Sequence, residues 1–252
     1  MTTWILLRGL SREARHWGGF PDRLRDVAGA AAILTPDLPG NGTRHRETSP
    51  TRVAAIAAEV RRQVLRRRVR PPFHLLGLSL GAMAAIAWAE EHPREVAGLV
   101  LINTSLRPFS PPWQRLRPAS LAALLRLLCA GNPTRRERLI LDLTSRRQSD
   151  DAVLLERWIA WRREAATSSV NALRQLAAAA LYRAADRPPV ARILVLASLG
   201  DAMVDPRCSS ALARHWQADL AVHPDAGHDL PLDDETWVAR QIAAWLARPP
   251  GR

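Results

Sequence analysis

The chain contains no lysine: all 36 of its basic side chains are arginine. A protein built to grip nucleic acid ordinarily carries its cations clustered on one face. Here arginine is scattered from Arg8 to Arg252, beside an excess of alanine, leucine and proline. That reads first as GC-rich coding and second as a basic surface. The densest run (Arg61, Arg62, Arg66, Arg67, Arg68, Arg70) closes a helical pattern before Pro71-Pro72, where cations complement the helix dipole. No aromatic interleaving, zinc spacing or nucleic-acid motif accompanies it, so no nucleic-acid partner is expected. Cysteine is scarce as well. Cys129 and Cys208 are too far apart to suggest a metal site and demand no disulfide. Long apolar runs are missing. The opening MTTWILLRGL holds only a short apolar stretch before Arg8, too short for a signal peptide or a membrane span. The expectation is a soluble, cytoplasmic protein with no membrane contact.

What is present is a chain of 252 residues, 47% hydrophobic, with a net charge of +12. That length suits one α/β domain with an insertion. The charge favours anionic substrates or acidic partners. Short β-branched runs alternate with longer helical patterns, which argues for a parallel sheet covered on both faces. Strands are predicted at 4–7, 32–36, 73–78, 96–103, 193–197 and, more weakly, 220–223. Helices are predicted at 20–27, 51–68, 80–91, 206–217 and 234–247. Between Arg107 and Pro189 the strand signal disappears, and only helical patterns remain, at 121–129, 135–143, 152–165 and 170–183. Proline-rich borders on both sides (RPFSPPWQRLRP and Arg187-Pro188-Pro189) suggest stiff links. The predicted division is a first core part at 1–106, an all-helical insertion at 107–187 and a second core part at 188–252.

The most informative stretch is FHLLGLSLGAMAAIAWA, residues 73–89. An apolar run meets Gly77-Leu78-Ser79-Leu80-Gly81 and passes at once into an alanine-rich helix. This is a nucleophile elbow, G-x-S-x-G, with a strand before it and a helix after. The sharp turn forces the serine into strained backbone angles and brings other backbone close, so both flanking positions need glycine. A serine hydroxyl is a poor nucleophile until a base takes its proton. In such an arrangement the acid and the histidine follow in chain order, each in a loop after a later strand. Of seven histidines, His228 fits, in the loop Pro224-Asp225-Ala226-Gly227-His228-Asp229 before the last helix. His74 lies within a strand and His92 ends a helix; both read as structural. Asp201 follows the fifth strand directly and is the favoured acid. Asp205, the other choice, reads as the cap of the next helix. Asp225 and Asp229 read as loop-forming.

An acyl-transfer oxyanion needs two backbone N–H donors. Leu80, after the serine, is one. Leu10, in the loop after the first strand, is the other, with Gly9 letting that loop turn. The loop Asp37-Leu38-Pro39-Gly40-Asn41-Gly42 reads as scaffold near the site. Arg8, Trp17, Trp113 and Trp158 are candidates for substrate contact, although Arg8 also suits an ion pair. The Trp158 and Trp161 pair, three apart on one helix face, also suits core packing.

The segments ILLRGL, TPDLPGNG, HLLGLSLGAMAAIAWAEEHP, VAGLVLINTS, GDAMVDP and PDAGHDLPLDD, in this order, resemble the α/β-hydrolase superfamily. The likeness is to its small esterase branch, which includes the pimeloyl-carrier-protein methyl ester esterases. The resemblance implies an α/β-hydrolase fold with Ser79, Asp201 and His228 as nucleophile, acid and base, and a helical cap over the site. Two departures stand out. The family's usual His-Gly is Arg8-Gly9 here, and the usual leading hairpin is missing, so about six parallel strands are expected. Serine in the elbow argues against the dehalogenase and epoxide-hydrolase relatives, which use aspartate there. The expected activity is cleavage of a carboxylic ester through a Ser79 acyl-enzyme, with no cofactor and no metal. The substrate would be a small acyl ester, free or attached to a carrier protein. A thioesterase or C–C bond hydrolase using the same triad is the nearest rival. A hydrolase-like binding protein without catalysis is the non-enzymatic one.

Overall fold

The computed structural model describes residues 2–129 and 131–248, without the side chains of residues 125, 128 and 129; the Cys129 side chain thus lies outside the described residues. Six strands form one parallel sheet: β1 (Thr3–Leu7), β2 (Ala32–Leu34), β3 (Phe73–Leu78), β4 (Val96–Ile102), β5 (Ile193–Ser198) and β6 (Asp219–His223). Their spatial order is β2-β1-β3-β4-β5-β6, with every neighbouring pair parallel. Each predicted strand is present, and the expected count of six holds. The second strand stops at Leu34 rather than running on to Pro36, because proline brings no N–H to the ladder.

Side chains alternate along the four central strands, β1, β3, β4 and β5, and fill two cores. Ile5, Leu7, Phe73, Leu75, Leu99, Leu101, Ile193 and Val195 face α2 (Val53–Leu65), α3 (Leu80–Glu91) and α9 (Arg207–Trp216). Trp4, Leu6, Leu76, Leu78, Val100, Ile102, Leu194 and Leu196 face α1 (Phe20–Ala28) and α11 (Glu235–Ala247). A sheet buried on both faces explains why its strands read as continuous apolar runs. Helix α3 is buried all round from Leu80 to Ala89, so its alanines are a packing requirement. Small side chains let it lie close against β1, β3 and β4.

Among the described residues the segment between β4 and β5 forms helices, α4 (Pro112–Arg115), α5 (Pro118–Cys129), α6 (Pro133–Thr144), α7 (Ala152–Ala165) and α8 (Ser169–Leu181), with one isolated bridge between Arg107 and Arg183 near its ends. Asn132, Asp151 and Ser168 cap the last three of these with side-chain oxygens. The short α10 (Leu230–Asp233) precedes α11. The predicted scaffold loop ties this helical segment to the sheet. Asn41 Oδ1 accepts from Gln175 Nε2 at 2.8 Å and from Thr167 Oγ1 at 3.1 Å, while Asn41 Nδ2 donates to the Arg12 carbonyl at 2.9 Å. Gln175 is fully buried and also accepts from the Ser11 N–H at 3.0 Å. Among the described residues no helix is long and apolar enough to cross a membrane.

Candidate active site

Parallel strands deliver their following loops to one edge of the sheet. That edge carries the loops of Arg8–Arg12 after β1, Ser79 after β3, Asn103 after β4, Asp201 after β5 and His228 after β6. Ser79 sits between β3 and α3 with φ 55° and ψ −116°, the strained conformation expected of an elbow. The turn is enforced from both sides. A β-carbon on Gly77 would overlap the backbone of Ala82, and one on Gly81 would overlap the Leu7 carbonyl. Gly81→Ala is therefore expected to destabilise the fold by about 3 kcal/mol, at the upper end for overpacking because backbone must move. Urea unfolding of the variant measures this; an unchanged midpoint would contradict the enforced turn.

His228 and Asp201 meet in a buried hydrogen bond, Nδ1 to Oδ2 at 2.7 Å. The other Asp201 oxygen accepts from the N–H groups of Met203 at 2.7 Å and Val204 at 2.9 Å, which fixes the carboxylate plane. Burial disfavours a charged His228, but the charge and hydrogen bond of Asp201, with Asp229 adding to them, outweigh it and raise the imidazole pKa. Asp205 does not reach the histidine. It lies one residue before the N-cap of α9, Pro206, where it accepts from the Arg207 N–H at 2.9 Å and pairs with the Arg207 side chain.

Ser79 and His228 line one cavity of about 890 Å³, its open mouth included. Among the described residues no hydrogen bond shorter than 3.5 Å joins the Ser79 hydroxyl to His228. Such contacts are often long without substrate and tighten when it binds. Leu10 lines the same cavity, and Leu80 follows the serine as the first residue of α3. Among the described residues neither the Leu10 nor the Leu80 N–H donates to an acceptor. The next two N–H groups in the first loop are engaged: Ser11 with Gln175 and Arg12 with the Gly9 carbonyl. Two unspent N–H groups beside a serine are what a developing oxyanion requires.

The expected substrate contacts fare differently. Arg8 lines the cavity; its two terminal nitrogens form a buried, two-pronged ion pair with Asp229 (Nη1 to Oδ1 at 3.0 Å), its Nε has no acceptor among the described residues, and the guanidinium lies 4.7 Å over the Trp17 ring. The expected ion pair is thus present as a clamp between the loop after β1 and the His228 loop, and the place of Arg8 on the cavity wall is consistent with the expected substrate contact as well. Trp17 is buried beneath it against Phe20 and does not line the cavity. Trp113 is 65% exposed on α4 and does not line the cavity. Trp158 packs edge-on to His16 at 5.1 Å, as does Trp161 at 5.2 Å. The packing reading of that pair holds for Trp158, which touches only a small adjoining recess. His74 is a core residue stacked on Trp4, its pKa lowered to about 4 by burial and then by Arg192.

Three residues that sequence reasoning missed hold the histidine loop. Asn103 Nδ2 donates to the His228 carbonyl at 2.8 Å and to Ser198 Oγ at 3.0 Å, while its Oδ1 accepts from the Ser198 N–H at 2.9 Å. Buried Asp233 accepts from the Gly227 N–H at 2.6 Å and the Arg146 N–H at 3.0 Å. Asp229, expected to be loop-forming only, also receives Arg8. The one available signal was an arginine in place of histidine before Gly9, facing an acidic residue beside His228.

Residues 4–241 match the sequence profile of the alpha/beta hydrolase family. Solved structures of similar shape include an esterase from Thermogutta terrifontis, 23% identical with a TM-score of 0.75, covering 98% of this chain and 89% of that one. Another is the 2-hydroxy-6-oxo-6-phenylhexa-2,4-dienoate hydrolase of Rhodococcus sp. strain RHA1, 21% identical with a TM-score of 0.77, covering 98% of this chain and 91% of that one. At such identities the likeness is one of fold.

Proposed function

The chain belongs to the alpha/beta-hydrolase family, and from that premise we propose that it cleaves a carboxylic ester through an acyl-enzyme on Ser79. The observation that carries the reading is the buried 2.7 Å bond between His228 and Asp201 at the cavity that Ser79 also lines. In this mechanism His228 Nε2 takes the Ser79 proton as the hydroxyl oxygen attacks the ester carbonyl. The oxyanion is received by the N–H groups of Leu80 and Leu10. His228 then gives its proton to the departing alcohol and, in the second half, activates water against the acyl-enzyme. Asp201 fixes the tautomer that leaves Nε2 free and stabilises the imidazolium. The helices between β4 and β5 act as a cap. Leu124 and Leu127 of α5, Ile140 and Leu143 of α6 and Leu176 of α8 give the cavity apolar walls suited to an aliphatic acyl chain.

The test is turnover of p-nitrophenyl butyrate beside the matching thioester. Faster ester cleavage, in kcat/KM, supports the reading, and no ester cleavage at any acyl length would overturn it. A clear thioester preference would move the assignment to the rival that shares this triad.

The acting base must be neutral, and the His228 pKa is raised. kcat/KM is therefore expected to climb with pH through an inflection above the ordinary imidazole value of about 6.5. A pH–rate profile measures it; an inflection below that value would contradict the Asp201 coupling.

A further inference from the structure

Away from the proposed triad, three arginines approach the substrate cavity around a single carboxylate. Arg12, Arg136 and Arg162 all line the cavity, and Arg12 and Arg162 also line the adjoining recess with Glu137. Glu137 is 1% exposed and accepts from Arg12 Nη1 at 2.8 Å and from Arg162 Nε. Its two oxygens are thus taken. The other carboxylate on the recess, Glu13, is held by Arg15. Arg136 has no carboxylate within 4.0 Å among the described residues, and its one side-chain bond is a long 3.5 Å approach to Ser169 Oγ.

Arg12 is 7% exposed, and its Nη2 is buried without an acceptor among the described residues. Its place is otherwise fixed. The guanidinium lies 4.0 Å over the Trp158 ring, and Nη1 also donates to His16 Nε2 at 2.9 Å. Burial first, then Arg12 and Arg8, keep His16 well below the usual imidazole range, so its ring is neutral and accepts that bond. A buried, unspent donor on a preset cation is costly unless something fills it. Arg136 lines the same cavity, near Glu137 but in no direct ion pair with it among the described residues.

The geometry points to an anion subsite inside the substrate cavity, built by Arg12 and Arg136 together with Arg162, that takes a carboxylate carried at the far end of the acyl chain. The apolar walls from α5, α6 and α8 would hold the methylene chain between that carboxylate and Ser79. Planar guanidiniums match a carboxylate in two-point hydrogen bonds, and the apolar surroundings strengthen them. This inference rests on the ester-hydrolase reading above and narrows its substrate to acyl chains with an anionic terminus.

The experiment compares p-nitrophenyl hemiesters of glutaric, adipic and suberic acids with neutral alkanoate esters of equal chain length. At the best length the hemiester is expected to lead in kcat/KM by about 10- to 100-fold, as charge-assisted bonds to a buried site allow. Arg136→Gln should cut that hemiester-to-alkanoate ratio at least tenfold, whereas Arg136→Lys should keep most of it. A ratio near one in the wild-type protein, or one that Arg136→Gln leaves unchanged, would overturn the subsite. Calorimetry on Ser79→Ala with adipate, against hexanoate, reads the subsite without turnover. Adipate binding that weakens at least tenfold on adding Arg136→Gln supports it even if no ester is cleaved. Adipate binding no tighter than hexanoate contradicts it, whatever the activity of the wild-type protein.

Discussion

Ser79→Ala is expected to lower kcat for an activated ester by about 10⁴- to 10⁶-fold, the range seen when a triad nucleophile is removed. Nothing else in the fold should move. The Ser79 side chain makes no hydrogen bond among the described residues, and the bonds that seat the elbow use the Ser79 main chain: its N–H donates to the Ile102 carbonyl at 2.9 Å, and its carbonyl accepts from Thr104 Oγ1 at 3.1 Å. A positive φ costs alanine about as much as serine, so the melting temperature should change by no more than a few degrees. The measurement pairs steady-state kinetics with calorimetric melting. A variant that loses activity together with its fold would not assign the chemistry to Ser79, and one that keeps turnover would remove it.

Asp201→Asn is expected to cost about 10⁴-fold in kcat with a small change in KM, because the neutral amide no longer imposes the productive tautomer or steadies the imidazolium. The same change should be visible without substrate. With the Asp201 charge gone, burial, the largest single influence on His228, is no longer outweighed, and its pKa should fall. NMR titration of the ring follows that fall directly. Asp205→Asn is the matched control. Asp205 is tied to Arg207 and the start of α9, so a loss as large from that substitution would transfer the acid's role to it.

The sign of the associated stability effect is also defined. A histidine whose folded pKa is raised above its unfolded value stabilises the native state below the unfolded pKa, and that contribution disappears as pH rises through the folded one. The His228 and Asp201 pair should therefore be most stabilising in mildly acid solution, where the imidazole is charged and inactive as a base. The stabilising contribution of this pair and the activity should accordingly move in opposite directions across neutral pH, while buried His16 and His74, whose pKa values are lowered, contribute to stability with the opposite sign.

Much of this was legible in the sequence, for identifiable reasons. Elements buried on both sides, such as β3 and α3, write uninterrupted apolar or alanine-rich runs, and their bounds at Phe73–Leu78 and Leu80–Glu91 follow from those runs and the glycines between them. Helix ends were read less well. The predicted helix over 51–68 spans only Val53–Leu65, since its first and last exposed residues gain nothing from packing. The meeting of Asp201 with His228 could be anticipated because parallel strands send their loops to the same edge. The Arg8 and Asp229 pair could not, since it joins positions 221 apart whose side chains each had a simpler local use. The tryptophans misled for a related reason. Large aromatic rings serve cores and pockets alike, and only coordinates separate Trp158 under Arg12 from the leucines that face the cavity.

The most direct measurement is labelling with a fluorophosphonate, followed by mass spectrometry of the digested protein. A reactive serine displaces fluoride and retains the phosphonyl group. One adduct is expected, on the peptide containing Ser79, and it should be lost when His228 is replaced by alanine. A folded protein that takes up no label, or takes it on a different serine, would contradict it.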